Sequence, residues 1–290
     1  MTAEDERPHL EAGEAGRPWG PTEMSAGHLR MLTLNVGGPS QQRAERIRSF
    51  LSEIDADLMV LTETRGTPGT QFLLSSYLEA GYSVAASSEL PSRERGVAVI
   101  HRLAGQPRPV ERVKLAHRVV VSELLLPEPV VLIGAYVPSR DASPERISRK
   151  RRFLMEMTRL LKRLARSELV ILMGDLNIVS TSHEPRYRFF KSWEYETFEA
   201  ITRFGLIDAF SELYPGQQAY TWIGRTGDGY RYDYGFLSEA LRPRLIDCEY
   251  INEPRDLRIS DHAGMLLTLR ASDHSSRSGE AGKPFAVTGS

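Results

Sequence analysis

Leu169-Val170-Ile171-Leu172-Met173-Gly174-Asp175-Leu176-Asn177 sets five apolar residues before a glycine and two polar side chains. An apolar run of that length with polar boundaries reads as a short buried strand. Side chains two positions apart on a strand share a face, so Asp175 and Asn177 are expected to look at one point. A carboxylate inside an apolar core is costly. The strand end is therefore expected beside a cleft at a sheet edge, although GDLN taken alone also suits an Asx turn that merely closes a strand.

Other apolar runs end in the same way. Residues 29–36 alternate and lead into GGPS, a strand, glycine turn and helix start with Asn35 at the strand's end. Ile47, Phe50, Leu51 and Ile54 repeat at helical spacing, and residues 57–63 form a second buried strand closing on Glu63. A less regular helix is expected over 71–80 and strands over 82–86 and 96–101, with the basic, exposed PSRER between them. Residues 119–126 and 130–137, joined by PEP, read as a hairpin that brings Tyr136 to its end. Ser143-Pro144-Glu145 is a helix start, with a capping hydroxyl, a first-turn proline and an acid at the positive dipole end. Ile147, Leu154, Met157, Leu161 and Leu164 mark the buried stripe of that helix. Further on, 187–204 is aromatic-rich and roughly helical, 231–237 and 246–251 are strands, and the last strand opens with Ser260-Asp261-His262. Strands in two sets with helices between them, and no Gly/Pro-rich linker, imply one layered α/β domain over residues 29–270.

Composition narrows the chemistry. The single cysteine, Cys248, excludes an internal disulfide and a cysteine-rich metal site, so any metal is held by oxygen or histidine. No run approaches the roughly 18 apolar residues of a membrane span, and the acidic N-terminus lacks the basic-then-apolar order of a signal peptide. The chain is accordingly expected to be cytoplasmic, with no membrane contact and no obligate protein partner evident. Residues 1–28 and 271–290 lack the apolar periodicity needed to pack and are expected to be disordered tails. Without them 33 basic residues stand against 30 acidic ones, a weak pointer to a polyanionic partner.

Asn35, Glu63, Tyr136, Asp175, Asn177, Asp233, Asp261 and His262 all end or open apolar strands. Each alone has an ordinary explanation as a cap or turn, but strand ends on one rim converge on a shared cleft. Glu63 and Asp261 with neighbouring amides make an oxygen-rich, incompletely filled ligand set that suits Mg²⁺, which neutralises phosphoryl oxygens. In that setting Asp175 orients and deprotonates an attacking water, while His262 faces the phosphate with Asp233 as its carboxylate partner. The run Arg146, Arg149, Lys150, Arg151 and Arg152 is either a solvated face or a track for a nucleic-acid backbone.

In chain order, LNV (34–36), LTET (61–64), GVAVI (96–100), GAYVPS (134–139), GDLNI (174–178), GLIDAF (205–210), YTW (220–222), RYDY (231–234) and SDH (260–262) resemble the endonuclease/exonuclease/phosphatase superfamily. Tyr136 in YVP, together with the pattern from Arg231 to Tyr234, resembles its exonuclease III-like apurinic endonuclease branch. The resemblance implies a DNase I-like four-layer α/β/β/α sandwich, two packed mixed sheets flanked by helices, and phosphodiester cleavage dependent on Mg²⁺ or Mn²⁺. It implies Glu63 as the main metal ligand, with Asn35 and Asp261 beside it and Asp175 and Asn177 adjoining. Tyr136, Asn177 and His262 are the implied phosphate contacts, Asp175 the base and Asp233 the histidine's partner. Trp222 resembles a residue lining a pocket for an abasic sugar, and Arg231, Arg149 and Lys150 complete the expected substrate contacts. The sequence departs from the family pattern at Gly37, where an acid or amide is usual, at Ser139, where an amide commonly follows YVP, and at Thr62, where glutamine is usual.

The expected activity is thus a DNA nuclease, acting at abasic sites or as a 3′-exonuclease. The same site on a small or lipid phosphate is the alternative, because one fold hosts several functions. A catalytically dead binding module is the third reading, and the intact acid, amide and histidine set argues against it.

Overall fold

Apolar alternation and helical stripes resolve into an ordered series of elements over residues 27–86, 90 and 93–271, which the computed structural model describes. The chain opens with β1 (His28–Asn35), α1 (Gln41–Ile54), β2 (Leu58–Thr64), α2 (Pro68–Glu79), β3 (Ser83–Ala86) and β4 (Gly96–His101). It continues through β5 (Gly105–Arg108), β6 (Val119–Leu124), β7 (Val130–Tyr136), α3 (Pro144–Leu164) and β8 (Leu169–Asp175). The remainder is α4 (Ser192–Arg203), β9 (Leu206–Asp208), α5 (Ala209–Leu213), β10 (Trp222–Ile223), β11 (Gly229–Tyr230), β12 (Asp233–Ser238), β13 (Leu245–Ile251), α6 (Glu253–Asp256) and β14 (Gly264–Arg270). The tails expected at 1–28 and 271–290 lie, apart from residues 27, 28 and 271, outside the described residues, as do Pro91 and Ser92 of PSRER. No helix among the described residues is long and apolar enough to cross a membrane.

Two six-stranded sheets, in the orders β13-β14-β1-β2-β4-β3 and β5-β6-β7-β8-β12-β9, face each other, and β10 and β11 make a separate small ribbon. Each large sheet contains one parallel pair, β1 with β2 and β7 with β8. Met31, Leu58, Val60, Val99 and Met265 of one sheet pack with Leu132, Ile171, Met173 and Leu237 of the other. On the outer faces, α1 and α2 cover the first sheet through Ile47, Leu51, Leu73 and Tyr77, while α3 and α4 cover the second through Phe153, Leu154, Met157, Leu161 and Phe198. Burying both faces of both sheets gives the expected four layers, α/β/β/α. The sheets pack closely at Gly134, where a Cβ would lie 2.9 Å from Val99 Cγ2.

Local chemistry explains where the sequence reading and the structure part. α2 starts at Pro68 rather than 71, because Thr67 caps it and accepts from Thr70 N at 3.3 Å. At α3, Ser143 is the N-cap but its hydroxyl makes no capping bond; Asp141 instead accepts from Ser143 N at 2.9 Å. β5 carries Pro107 and sits on a sheet edge, where a missing N–H is tolerated. Residues 187–191 precede α4 rather than belonging to it, and Ser260-Asp261-His262 forms the approach to β14 rather than its first residues.

Two backbone irregularities aim the polar strand ends. Between Thr62 and Thr64 the β2–β4 register shifts, and Glu63 at the bulge has φ +56°. A bulge bends the strand and re-aims one side chain out of the alternating pattern. In β8, Gly174 has φ +138°, and a Cβ there would stand 2.0 Å from Ala135 O of the neighbouring strand. Only glycine fits both the conformation and the space. Gly174→Ala is expected to destabilise the protein by at least about 3 kcal/mol, read as a loss in urea midpoint at unchanged slope. A midpoint within error of the parent would show that β8 relaxes without it.

Candidate active site

Parallel pairing decides where the polar strand ends meet. β1 and β2 finish side by side, as do β7 and β8, so Asn35 and Glu63 arrive from one sheet and Tyr136 and Asp175 from the other. β12 and β14 are antiparallel to those strands and start at the same edge: Asp233 pairs with Asp175, and the Ser260–His262 segment leads into β14. Glu63, Asp175, Asn177, Trp222, Asp261 and His262 line a cavity of about 380 Å³, together with Ser139, Arg140, Lys150, Phe189, Phe190, Tyr230 and Tyr232. Asn35, Tyr136 and Asp233 reach the same place through hydrogen bonds to these residues.

Hydrogen bonds fix each group. Asp233 Oδ2 lies 2.7 Å from His262 Nδ1, leaving Nε2 toward the cavity side, 3.5 Å from Asn35 Nδ2. Asn35 Nδ2 also donates to Asp175 Oδ2 at 3.1 Å, and Asn177 N donates to Asp175 Oδ1 at 3.0 Å. Both oxygens of Asp175 are therefore already held. Asn177, at φ +47°, donates its side-chain amide to Val137 O at 3.0 Å. GDLN is thus an Asx turn and a cavity wall together. Across the cavity Tyr136 Oη donates to Glu63 Oε1 at 2.7 Å, and Trp222 Nε1 donates to Asp261 Oδ2 at 3.2 Å.

Two residues that the sequence reading passes over lock the SDH segment and β12 in place. Ser260 Oγ donates to Asn35 O at 2.6 Å and accepts from His262 N at 2.9 Å. Buried Thr221, in YTW, accepts through Oγ1 from Tyr232 N at 3.0 Å and from Asp233 N at 3.3 Å, and its carbonyl accepts from Ala263 N at 2.8 Å. Their signal is position alone, adjacent to Asp261 and Trp222.

Crowded carboxylates set the electrostatics. Burial, then the negative charge of Asp233, pushes the pKa of Asp175 up to about 8. Burial alone would depress His262, but the charge and hydrogen bond of Asp233, followed by Asp175 and Asp261, outweigh it and raise the pKa to about 10. His262 is therefore an imidazolium at neutral pH, with an N–H on each ring nitrogen. Asp175, Asp233 and His262 offer donor atoms within 4.8 Å of one another. In that triad the histidine is committed to Asp233 and both Asp175 oxygens accept hydrogen bonds; Glu63 and Asp261, on the same cavity, are the other carboxylates that could hold a cation. Their donors are hard carboxylate oxygens, and a cation already compensates Glu63: Arg95 Nη1 lies 2.8 Å from Glu63 Oε1. A divalent oxophilic ion fits that donor set. Asn35 turns its Oδ1 to Gly37 N at 3.0 Å, so it supports Asp175 rather than offering that oxygen beside Glu63.

Three expected substrate contacts take other positions. Lys150 is buried in the wall of the cavity, its Nζ donating to Asn177 O at 2.5 Å and to Glu194 Oε1 at 2.6 Å. Two of its three N–H donors are thus already given to a carbonyl and a carboxylate, so its charge is held inside the protein at the cavity wall rather than spread along an exposed helix face. Arg140 joins the same carboxylate and packs over Phe189, with its Cζ 4.1 Å from the ring centre. Arg231 is also buried, its Nη2 2.6 Å from Asp208 Oδ2 and its Cζ 4.7 Å from the Tyr234 ring centre, so it braces β12 and does not face substrate. Arg149 stays partly exposed but is paired with Glu94 at 2.5 Å, away from the cavity lining. Of the run read as either a solvated face or a track, Lys150 turns inward and Arg149 pairs with Glu94, while Arg146, beside Asp141 at 3.5 Å, Arg151 and Arg152 stay at the surface.

The chain is similar in sequence and in fold to known proteins. The sequence model of the Endonuclease/Exonuclease/phosphatase family matches residues 32–274. The chain is 26% identical over 265 residues to the DNA repair nuclease APEX1 of Danio rerio, covering 84% of this chain and 83% of that protein. In three dimensions it is similar to an AP endonuclease from Archaeoglobus fulgidus, with a TM-score of 0.70, 21% identity, and 83% and 99% of the two chains covered. It is similar also to the 3′ phosphatase NExo from Neisseria bound to a product DNA hairpin, with a TM-score of 0.69, 21% identity, and 82% and 98% covered.

Two measurements test the charge arrangement. Because the folded pKa of His262 is raised from 6.5 to about 10, its contribution to stability is complete below pH 6.5 and is lost as pH rises toward 10. Asp233→Asn should lower the His262 pKa by roughly two pH units or more in metal-free protein, followed by the ring-proton NMR shift, and should flatten that alkaline loss; an unmoved titration would break the pairing. Lys150→Ala leaves Glu194 with one of its two cations gone and should cost roughly 3–5 kcal/mol in urea unfolding. Full stability with weakened DNA binding would return Lys150 to the surface role.

Proposed function

This chain belongs to the endonuclease/exonuclease/phosphatase family, and we propose that it is a divalent-metal-dependent DNA nuclease that hydrolyses phosphodiesters at abasic sites or at 3′ ends. The observation that carries the reading is the opposition, across one cavity, of a poised carboxylate and imidazolium to a rim of metal-type carboxylates. DNA as substrate is supported by the relatives, named for DNA repair, AP endonuclease and 3′ phosphatase activity.

In this reading Glu63 and Asp261 would hold Mg²⁺ or Mn²⁺, which would supply positive charge to a phosphoryl oxygen and to the leaving group. The chain supplies the rest. Asp175, its pKa raised to about 8, is the stronger base for that shift and in its ionised form accepts the proton of the attacking water, so turnover rises as pH climbs through that value. Asn35 and the Asn177 N–H hold that carboxylate in one orientation. His262 donates from Nε2 to a phosphate oxygen, and Asp233 keeps it charged and fixes the ring. Asn177 lines the cavity on the phosphate side, and Tyr136 steadies Glu63. Trp222, with Tyr230 and Tyr232 beside it, forms an aromatic surface for the sugar that follows the scissile bond. The catalytic body is residues 29–270, acting in the cytoplasm without a membrane or an obligate protein partner.

A panel of labelled abasic duplex, recessed 3′ ends, single-stranded DNA, RNA and small phosphodiesters, with Mg²⁺ or chelator, decides the substrate. Abasic or 3′-terminal DNA should be cut in Mg²⁺ and spared in chelator. Glu63→Gln should retain the fold and lose at least about 100-fold in turnover. Faster hydrolysis of small phosphodiesters than of any DNA would replace the nuclease reading, and full turnover by Glu63→Gln in chelator would end the metal reading.

A further inference from the structure

Glu63 carries a cation of the chain's own. Arg95 sets Nη1 2.8 Å from Glu63 Oε1 and 3.4 Å from Tyr136 Oη. Partial burial disfavours its charge, but the hydrogen bond with Tyr136 and the carboxylates of Glu63 and Asp261 overcome that and raise its pKa above the ordinary value. The guanidinium is therefore in the field of both carboxylates that form the proposed metal seat. Its Nε and Nη2 make no hydrogen bond among the described residues, and its side chain is 34% exposed. A guanidinium has five N–H donors in a rigid fork, so most of that fork is uncommitted.

The backbone beneath Arg95 is anchored. Glu94 accepts from Arg149 Nη2 at 2.5 Å and from Arg118 Nη2 at 3.1 Å, and Arg118 in turn lies over the Tyr136 ring with its Cζ 4.6 Å from the centre. On the other side Gly96 pairs with Thr64 across the bulge that aims Glu63. The side chain can swing while its root stays at the cavity rim. Two cations in contact with one carboxylate repel each other strongly in a partly buried site, so a divalent ion on Glu63 and the guanidinium in its present place are alternatives. A released arginine fork is well matched to two phosphate oxygens.

We propose that Arg95 is a substrate-binding residue that competes with the divalent ion for Glu63, neutralising the carboxylate when the ion is absent and turning to a phosphate oxygen of DNA when the ion is seated. This rests on the metal site of the proposed function. It makes removal of Arg95 act in opposite directions on the two ligands: the ion gains and the phosphate loses. A merely structural arginine has no such split.

The test uses the full chain, metal-free, with Arg95→Gln, Arg95→Lys and Glu63→Gln beside the parent, each checked for native near-ultraviolet dichroism. Mn²⁺ affinity is read from the electron paramagnetic resonance of free ion, and thymidine 5′-monophosphate affinity by calorimetry at saturating Mn²⁺. Arg95→Gln should bind Mn²⁺ about tenfold more tightly and the nucleotide about tenfold more weakly, with Arg95→Lys between it and the parent on both. Equal Mn²⁺ affinity in the parent and Arg95→Gln, or nucleotide binding no weaker in Arg95→Gln, overturns the role of Arg95 and leaves the metal site standing. Absent Mn²⁺ binding in all four proteins, or undiminished binding in Glu63→Gln, overturns both.

Discussion

Like charges are the constraint on which this molecule depends. Glu63, Asp175, Asp233 and Asp261 are drawn to one rim, where burial and mutual repulsion push Asp175 toward neutrality. The protein holds them there with an imidazolium against Asp233, an amide against Asp175 and a guanidinium against Glu63. These groups make the cavity reactive and at the same time keep it assembled. The fold supplies the convergence through two parallel strand pairs, one per sheet, whose ends lie on one edge.

Arginine and lysine do two different jobs here. Lys150 and Arg140 converge on Glu194, and Arg231 on Asp208, in buried pairs that stiffen the floor of the cavity and the root of β12. Such pairs add little net stability against an apolar replacement but cost several kcal/mol when half-removed, so they act mainly to specify geometry. Arg95, partly exposed and only half committed, belongs to the other kind. A count of basic residues therefore says little about substrate, because Lys150, Arg140 and Arg231 are committed to carboxylates inside the protein.

Much of this was legible in the sequence because strands with period two end abruptly on polar residues. Asn35, Glu63, Tyr136, Asp175, Asn177, Asp233, Asp261 and His262 all stand out that way, and all eight meet around one cavity. The partners of the cations were not legible. Lys150 and Glu194 are 44 positions apart and Arg231 and Asp208 are 23 apart, with no periodicity linking them. A run such as Arg149-Lys150-Arg151-Arg152 looks uniform, yet the helix turns its second member inward. The aromatic wall was hidden for a related reason. Residues 187–191 resemble the start of a helix by composition, and only tertiary packing sets Phe189 and Phe190 against the cavity.

The order in which the chain must come together follows from β1. It lies inside its sheet between β2 and β14, so one of its two edges stays open until the last strand arrives. Asn35 meets Asp175 across 140 positions and His262 across 227. Contacts of such long range form late, because loop closure must precede them. A growing or half-folded chain thus has its acids scattered, and the cavity is assembled only when the chain is almost wholly made. Conversely, a local opening that frees β14 also loosens the segment before it, which carries His262, so the contacts of Asn35 with Asp175 and His262 gauge whether the two ends of the fold are joined.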